Sequence, residues 1–275
     1  MRKLFLSLFF LIFTCLLFAK DFPQNEKNLI YKALDARLQT RLCNNPDDAI
    51  KLMEAFKSSI TKDAAYETAD EELRFVIENM ISLEEYNYMY AKNADSAELK
   101  PFILKQYDKI EAYKKAHEGK ELNCWFILSS GDVINSSMQF ISQSTAIKLG
   151  LKEKEEYDTV AETDGTVSFG RINRALWYYF APAIGGGNKA KAKEDFQKAV
   201  DYAECDYERF YSRVYLSQVY YDEGNKAECE KLLNECDSIL PGNVYTPFIR
   251  TLNQNDFSLL YYTENRKKVE KKLGI

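Results

Sequence analysis

The chain predicts an all-α fold built from stacked helical hairpins, and three observations carry that prediction. Turn-forming residues are scarce, with 11 glycines and 6 prolines in 275 residues, about half the usual share. Apolar side chains recur at intervals of three and four, the spacing of one helix face. Alternation of apolar and polar residues, the mark of a half-buried strand, is nowhere sustained beyond a few residues.

The elements follow in order. Ile30, Leu34, Leu38 and Leu42 mark a first helix. Asn44-Asn45-Pro46 breaks it, and Pro46 suits the first turn of a second helix lined by Ala49, Leu52, Met53 and Phe56. A long third helix carries Leu73, Val76, Ile77, Met80 and Ile81, runs on through Tyr86 and Tyr90, and breaks between Asn93 and Ser96. Phe102, Leu104, Tyr107, Ile110 and Tyr113 belong to a fourth, ending near Gly119. A fifth segment starts at Leu122 and holds Cys124, Trp125, Ile127 and Leu128, while Gly131-Asp132 fits a turn or a helix interior equally well. A helix is expected from about Ser136 to Leu149, then a polar stretch over 150–167 with a loop at Thr163-Asp164-Gly165. Helices are expected near 168–180, 189–204, 207–223 and 226–239. Pro241-Gly242-Asn243 stops the last of these, and a final helix over 247–270 caps the stack. No linker interrupts residues 20–275, so they are expected to form one domain, with irregular helices over 25–118.

Residues 1–19 resemble a secretory signal. Arg2 and Lys3 precede a largely apolar run from Leu4 to Phe18, and Ala19 offers the cleavage site. Fifteen helical residues cover about 22 Å, short of the ~30 Å hydrocarbon core, which disfavours a retained anchor. Cys15 is a poor lipid-attachment site, because Leu16-Leu17-Phe18 rather than polar sequence follows it. The expected location is therefore periplasmic or cell-envelope. The formal charge is −5, and more negative once Arg2 and Lys3 leave with the leader. That balance argues against a nucleic-acid binder, which needs a basic face.

Five cysteines remain: Cys43, Cys124, Cys205, Cys229 and Cys236. An odd number with irregular spacing is no disulfide framework. Cys229 and Cys236 are about 10 Å apart along one expected helix, too far to bond, and read as small core residues. A Cys43–Cys124 bridge stays open.

The strongest pattern lies in residues 213–241. Leu216, Ser217 and Tyr220 sit on a first helix, Gly224 ends it, Cys229, Leu233 and Cys236 alternate small, large and small on a second, and Pro241 closes the unit. Small residues let two helices approach, and Tyr220 and Leu233 fill the seam. Upstream, Gly187, Ala192, Phe196 and Ala199 repeat the offsets of Gly224, Cys229, Leu233 and Cys236. The first helix of that copy carries Ala175, Leu176 and Tyr179. This spacing resembles the tetratricopeptide repeat (TPR), with Ser217 for Gly, Cys229 and Cys236 for Ala, and Leu233 for Phe. The resemblance covers mainly residues 171–241 and implies an α-solenoid with a concave groove. The stretch APAIGGGNKAKAKEDFQKAV more narrowly resembles the Pro-x-x-Gly-Gly turn of exported TPR proteins that serve TRAP-type solute transporters. That resemblance implies a periplasmic solute-binding protein as partner.

No catalytic, metal or cofactor constellation is evident. Gly185-Gly186-Gly187-Asn188-Lys189 lacks the spacing of a phosphate loop. His117, the one histidine, sits near a helix C-terminus, where a cation suits the dipole. Glu71-Glu72, Glu84-Glu85 and Glu155-Glu156 read as solvated helix faces. Ser129, Ser130, Ser136 and Ser137 have no evident base. The basic tail of Arg266, Lys267, Lys268, Lys271 and Lys272 reads as a solvated cap. Aromatic density is the positive signal. Trp177, Tyr178, Tyr179 and Phe180 are consecutive and must point around the whole helix. If the TPR resemblance holds, the groove presents Asn173 and Trp177 from one unit and Tyr211, Val214, Gln218 and Tyr221 from the next. The expected function is a non-enzymatic scaffold that binds a protein or peptide through this groove. The alternative is a small-solute-binding accessory of a TRAP-type transporter.

Overall fold

The computed structural model describes residues 22–274, so the leader assigned to residues 1–19 lies outside the described residues. Every regular element among them is helical. The α-helices are α1 Gln24–Gln39, α2 Pro46–Ile60, α3 Ala64–Thr68, α4 Glu71–Lys92, α5 Leu99–Ala116, α6 Cys124–Ser137, α7 Gln143–Thr163, α8 Ser168–Phe180, α9 Lys189–Tyr202, α10 Asp206–Asp222, α11 Lys226–Ile239, α12 Tyr245–Gln254 and α13 Leu259–Leu273. Short 3-10 turns occupy Thr40–Leu42, Met138–Phe140 and Ala183–Gly185.

Side-chain caps set many of the helix starts. Asn45, Asp70, Ser142, Asn188, Asn225 and Ser258 each accept a hydrogen bond from a backbone N–H two or three residues into α2, α4, α7, α9, α11 and α13. Such a bond satisfies one of the unpaired donors of the first turn. Pro46 occupies the first turn of α2, where its missing N–H costs nothing.

α8 packs along α9, and α10 along α11. The seams are closed by Ala192, Phe196 and Ala199 in one pair and by Cys229, Leu233 and Cys236 in the other, all buried. The two connections differ in length but end alike. Asn188 N donates to Tyr178 O, and Asn225 N donates to Tyr220 O, before each asparagine caps the next helix. The glycines differ in their work. Gly224 holds φ +81°, which glycine alone adopts freely. Gly187 has no left-handed φ; a Cβ there would collide with the Ala181 carbonyl, and its neighbour Gly186 takes φ +97° instead.

A large core runs from Phe22 through α4 and α6 to Val269. α1 packs on both α2 and α4 and also on α10, which sets the first described helix against a helix far along the chain. Arg41 Nε donates to Tyr211 Oη at 2.6 Å, and Val244 N donates to Arg41 O at 2.8 Å.

Several expectations need correction. The helix expected over 136–149 is displaced: α6 reaches Ser137, and α7 starts at Gln143 and continues to Thr163 through the polar stretch. Glu153, Tyr157 and Val160 form the buried row of α7, so a polar composition hid an inward face. Gly131 lies inside α6, where a Cβ would strike the Tyr157 ring. The single capping helix expected over 247–270 is two helices, because Asp256 turns with φ +63° and Ser258 starts a new cap. The glutamate pairs are not all solvated. Glu72, Glu84 and Glu85 are buried, Glu72 accepting from Asn123 N and Glu84 pairing with Arg37. No disulfide joins Cys43 to Cys124, so that bridge is not formed.

Candidate functional site

The main cavity has a volume of about 600 Å³ and lies among α1, α4, α6, α7, α8 and α10. Helical periodicity builds its walls. Phe169, Ile172, Asn173, Leu176, Trp177 and Phe180 follow one another at steps of three and one, a continuous face of α8. Tyr207, Tyr211 and Tyr215 stand at successive steps of four on α10. Asp132, Asn135 and Ser136 occupy one face of α6, and Ile147, Leu151 and Tyr157 come from α7. The turn after α8 adds Ala181, Pro182 and Gly185.

The cavity has a wet end and a buried end. Ile147 is 58% exposed and Leu151 50%, and Ile184 beside the lining turn is fully exposed. Trp177 is fixed between these zones by a bond from its Nε1 to Gly150 O at 3.2 Å, with the Lys154 ammonium 5.7 Å from its ring centre. The buried end is polar. Arg37 donates from Nε to Glu84 at 3.1 Å and lies 5.0 Å from the centre of the Tyr207 ring. Thr40 Oγ1, which donates to Arg37 O at 2.5 Å, lies 3.2 Å from the other Glu84 oxygen. Asn173 Nδ2 donates to Asp132 at 3.0 Å. Burial pushes the Asp132 carboxyl up to about 6 against the opposing pull of Arg37 and Asn173. Glu153, a turn before Tyr157 on α7, is pushed up to about 9 by burial, and both its oxygens lack a hydrogen-bond partner.

A second crevice, lined by Lys154, Asp158, Glu162, Arg174, Tyr178, Lys191, Glu194 and Asp195, is largely occupied by its own ion pairs. Asp195 holds both Arg171 and Arg174 at 2.7–2.8 Å, and Lys154 pairs with Asp158. His117 caps α5 and stacks on Tyr113, with ring centres 4.1 Å apart. Among the described residues, no group of three His, Cys, Asp or Glu side chains is placed to hold a metal ion. No helix among them is long and apolar enough to cross a membrane.

The cavity brings together Asn173, Trp177 and Tyr211 of the six residues assigned to the groove. The other three lie elsewhere. Val214 is fully buried in the core. Gln218 is equally buried, its Oε1 accepting from Leu259 N at 2.8 Å at the start of α13. Tyr221 donates to Asn253 O at 2.7 Å, at the end of α12. Those contacts fold the C-terminal helices over the α10 face that was read as open. Arg37, Asp132, Tyr207 and Tyr215 were not among the six. The two tyrosines stand one turn either side of Tyr211 on α10, a spacing present in the sequence; the approach of Arg37 to Asp132 has no local signal. Of the consecutive aromatics, Trp177 and Phe180 face the cavity, while Tyr178 bonds Asp158 and Tyr179 bonds Asp222.

Compared with known proteins, the chain matches no family model and shows similarity to no curated protein and to no solved structure.

Proposed function

We propose that this chain is a non-enzymatic binding protein whose cavity holds a small, largely apolar molecule. The observation that carries the reading is the cavity itself. Its volume of about 600 Å³ falls within the range of small-molecule sites, roughly 300–1,000 Å³. Phe169, Ile172, Leu176, Trp177 and Phe180 supply apolar wall, and a few polar groups converge at one end, the usual division between affinity and orientation. This favours the small-solute alternative over a peptide groove.

The finer architecture belongs to the same proposal. α8 and α10 line the cavity, whereas α9 and α11 contribute nothing to it. That division supports a TPR-like stack in which first helices face inward. Export by a cleaved leader, and a periplasmic solute-binding protein as partner, remain readings of the sequence resemblance. Exposed Ile147, Leu151 and Ile184 at the mouth support a protein contact there.

The test is native mass spectrometry of the mature protein purified from its own cells, joined to titration with an environment-sensitive apolar dye. A bound mass of a few hundred daltons (roughly, for a cavity of this class), or dye binding lost in a cavity-filling Leu176→Trp variant, supports the reading. A bare protein whose dye binding is absent or unchanged by the variant refutes it.

A further inference from the structure

An apolar ligand alone leaves the buried end of the cavity chemically incomplete. Arg37 lines the cavity, is only 4% exposed, and has a guanidinium nitrogen, Nη1, with no hydrogen-bond partner. A buried donor left unmet costs free energy that a suitable acceptor recovers. The charges point the same way. Arg41 donates only to the phenol oxygens of Tyr211 and Tyr88, at 2.6 and 3.2 Å, and forms no ion pair among the described residues. Glu84 is shared between Arg37 and Thr40. Arg37 therefore faces both Glu84 and Asp132, and Arg41 adds a second guanidinium near Glu84 from outside the cavity lining.

The groups around Asp132 come from every neighbouring helix. Arg37 and Glu84 act on it through their charges from α1 and α4, and Asn173 bonds it from α8. Glu153 and Tyr157 on α7, and Tyr215 on α10, also feel its charge. With Asp132 ionised, the cluster is neutral. With Asp132 protonated, one positive charge is in excess, and a second carboxylate restores neutrality. Asp132 and an incoming anion thus compensate the same charge, and both cannot be ionised there at low cost.

We propose that the cavity takes a monocarboxylate with an apolar tail, seated head-first on Arg37, and that Asp132 takes up one proton from solvent as the ligand binds. The protonated Asp132 then donates a hydrogen bond where its carboxylate would repel. Trp177, Leu176 and Phe180 cover the tail. This inference rests on the small-ligand reading above.

The experiment compares decanoate, decanol and decylamine, which share a tail and differ in the head group. Each is titrated calorimetrically into the full mature chain, in two buffers of different ionisation enthalpy. Decanoate is expected to bind at least about tenfold more tightly than decanol, the scale of a charge-assisted hydrogen bond. It should take up about one proton near pH 7.5, and its affinity should fall about tenfold per pH unit above that. Asp132→Asn, which keeps the contact with Asn173, should bind decanoate with no proton uptake and a flat pH profile. Arg37→Gln should lose the preference for decanoate over decanol. Equal affinities for the three ligands, or a preference for decylamine, would overturn the head-group assignment and leave the cavity reading standing. Failure of all three ligands while an apolar dye still binds does the same. Failure of ligands and dye together removes the cavity reading, and this inference with it.

Discussion

Replacing Glu153 by glutamine should stabilise the protein, and by an amount that grows with pH. Glu153 is 1% exposed, and neither of its carboxyl oxygens has a hydrogen-bond partner. The nearby Lys114 is committed to Glu156 at 2.9 Å. Burial, aided by Glu156, pushes Glu153 up to about 9. Above the ordinary glutamate range the unfolded chain has released this proton while the folded chain still holds it. The stability it contributes is thus complete at low pH and is lost as pH rises towards about 9. The slope is about 1.4 kcal/mol per pH unit. Asp132, pushed up to about 6, acts in the same direction but only at lower pH. Between about pH 6.5 and pH 8.5, Glu153 should contribute a loss of about 3 kcal/mol over two units, whereas Glu208 and Glu85, also pushed up by burial, act alike in both proteins and cancel in the comparison. For a chain of this size that corresponds to about 5–10 °C in melting temperature. Glu153→Gln keeps the shape and carries no charge, so its melting temperature should lack this component. Thermal melts of both proteins across the window test it. Parallel profiles would show that the Glu153 carboxyl is ionised and solvated in the folded state, and would refute the reasoning.

Two further outcomes follow from local geometry. Gly131→Ala should destabilise by about 1–3 kcal/mol through collision with the buried Tyr157 ring, although alanine is the better helix former by about 1 kcal/mol; a urea midpoint that rises instead would contradict the packing of α6 on α7. Asn188→Ala and Asn225→Ala should each cost about 1 kcal/mol by removing equivalent caps, and markedly unequal losses in chemical unfolding would argue that the two connections do not end alike.

The residues that could be read from the sequence are those whose partners are near in the chain. Ala192, Phe196 and Ala199 against Cys229, Leu233 and Cys236 revealed both seams, because small-large-small rows are local devices. α7 was misplaced because Glu153 and Tyr157 look solvent-facing until α6 covers them, with Gly131 left bare to make room. The break between α12 and α13 has no Gly or Pro, only Asp256 in a left-handed turn. Half of the candidate groove was legible for the same reason. Asn173, Trp177 and Tyr211 follow from the faces of α8 and α10, whereas Val214 is buried in the core and Gln218 and Tyr221 are tied to residues of α13 and α12 that local pattern cannot see. Arg37 and Asp132 meet only through tertiary packing.

The junction of α1 with α10 has a consequence for how the protein is made. A linear repeat array gathers its contacts between neighbours, so it tolerates truncation and can begin folding at any unit. Here the contact of Arg41 with Tyr211 spans 170 residues, a long-range closure of the kind that slows folding. Synthesis releases Arg37 and Asp132 well before the tyrosine row that completes their enclosure. The emerging chain therefore carries half a container, and a ligand has nothing to enter until the last third has been made and has swung back onto the first helix. A chain cut before α10 should therefore lose binding outright rather than by degrees.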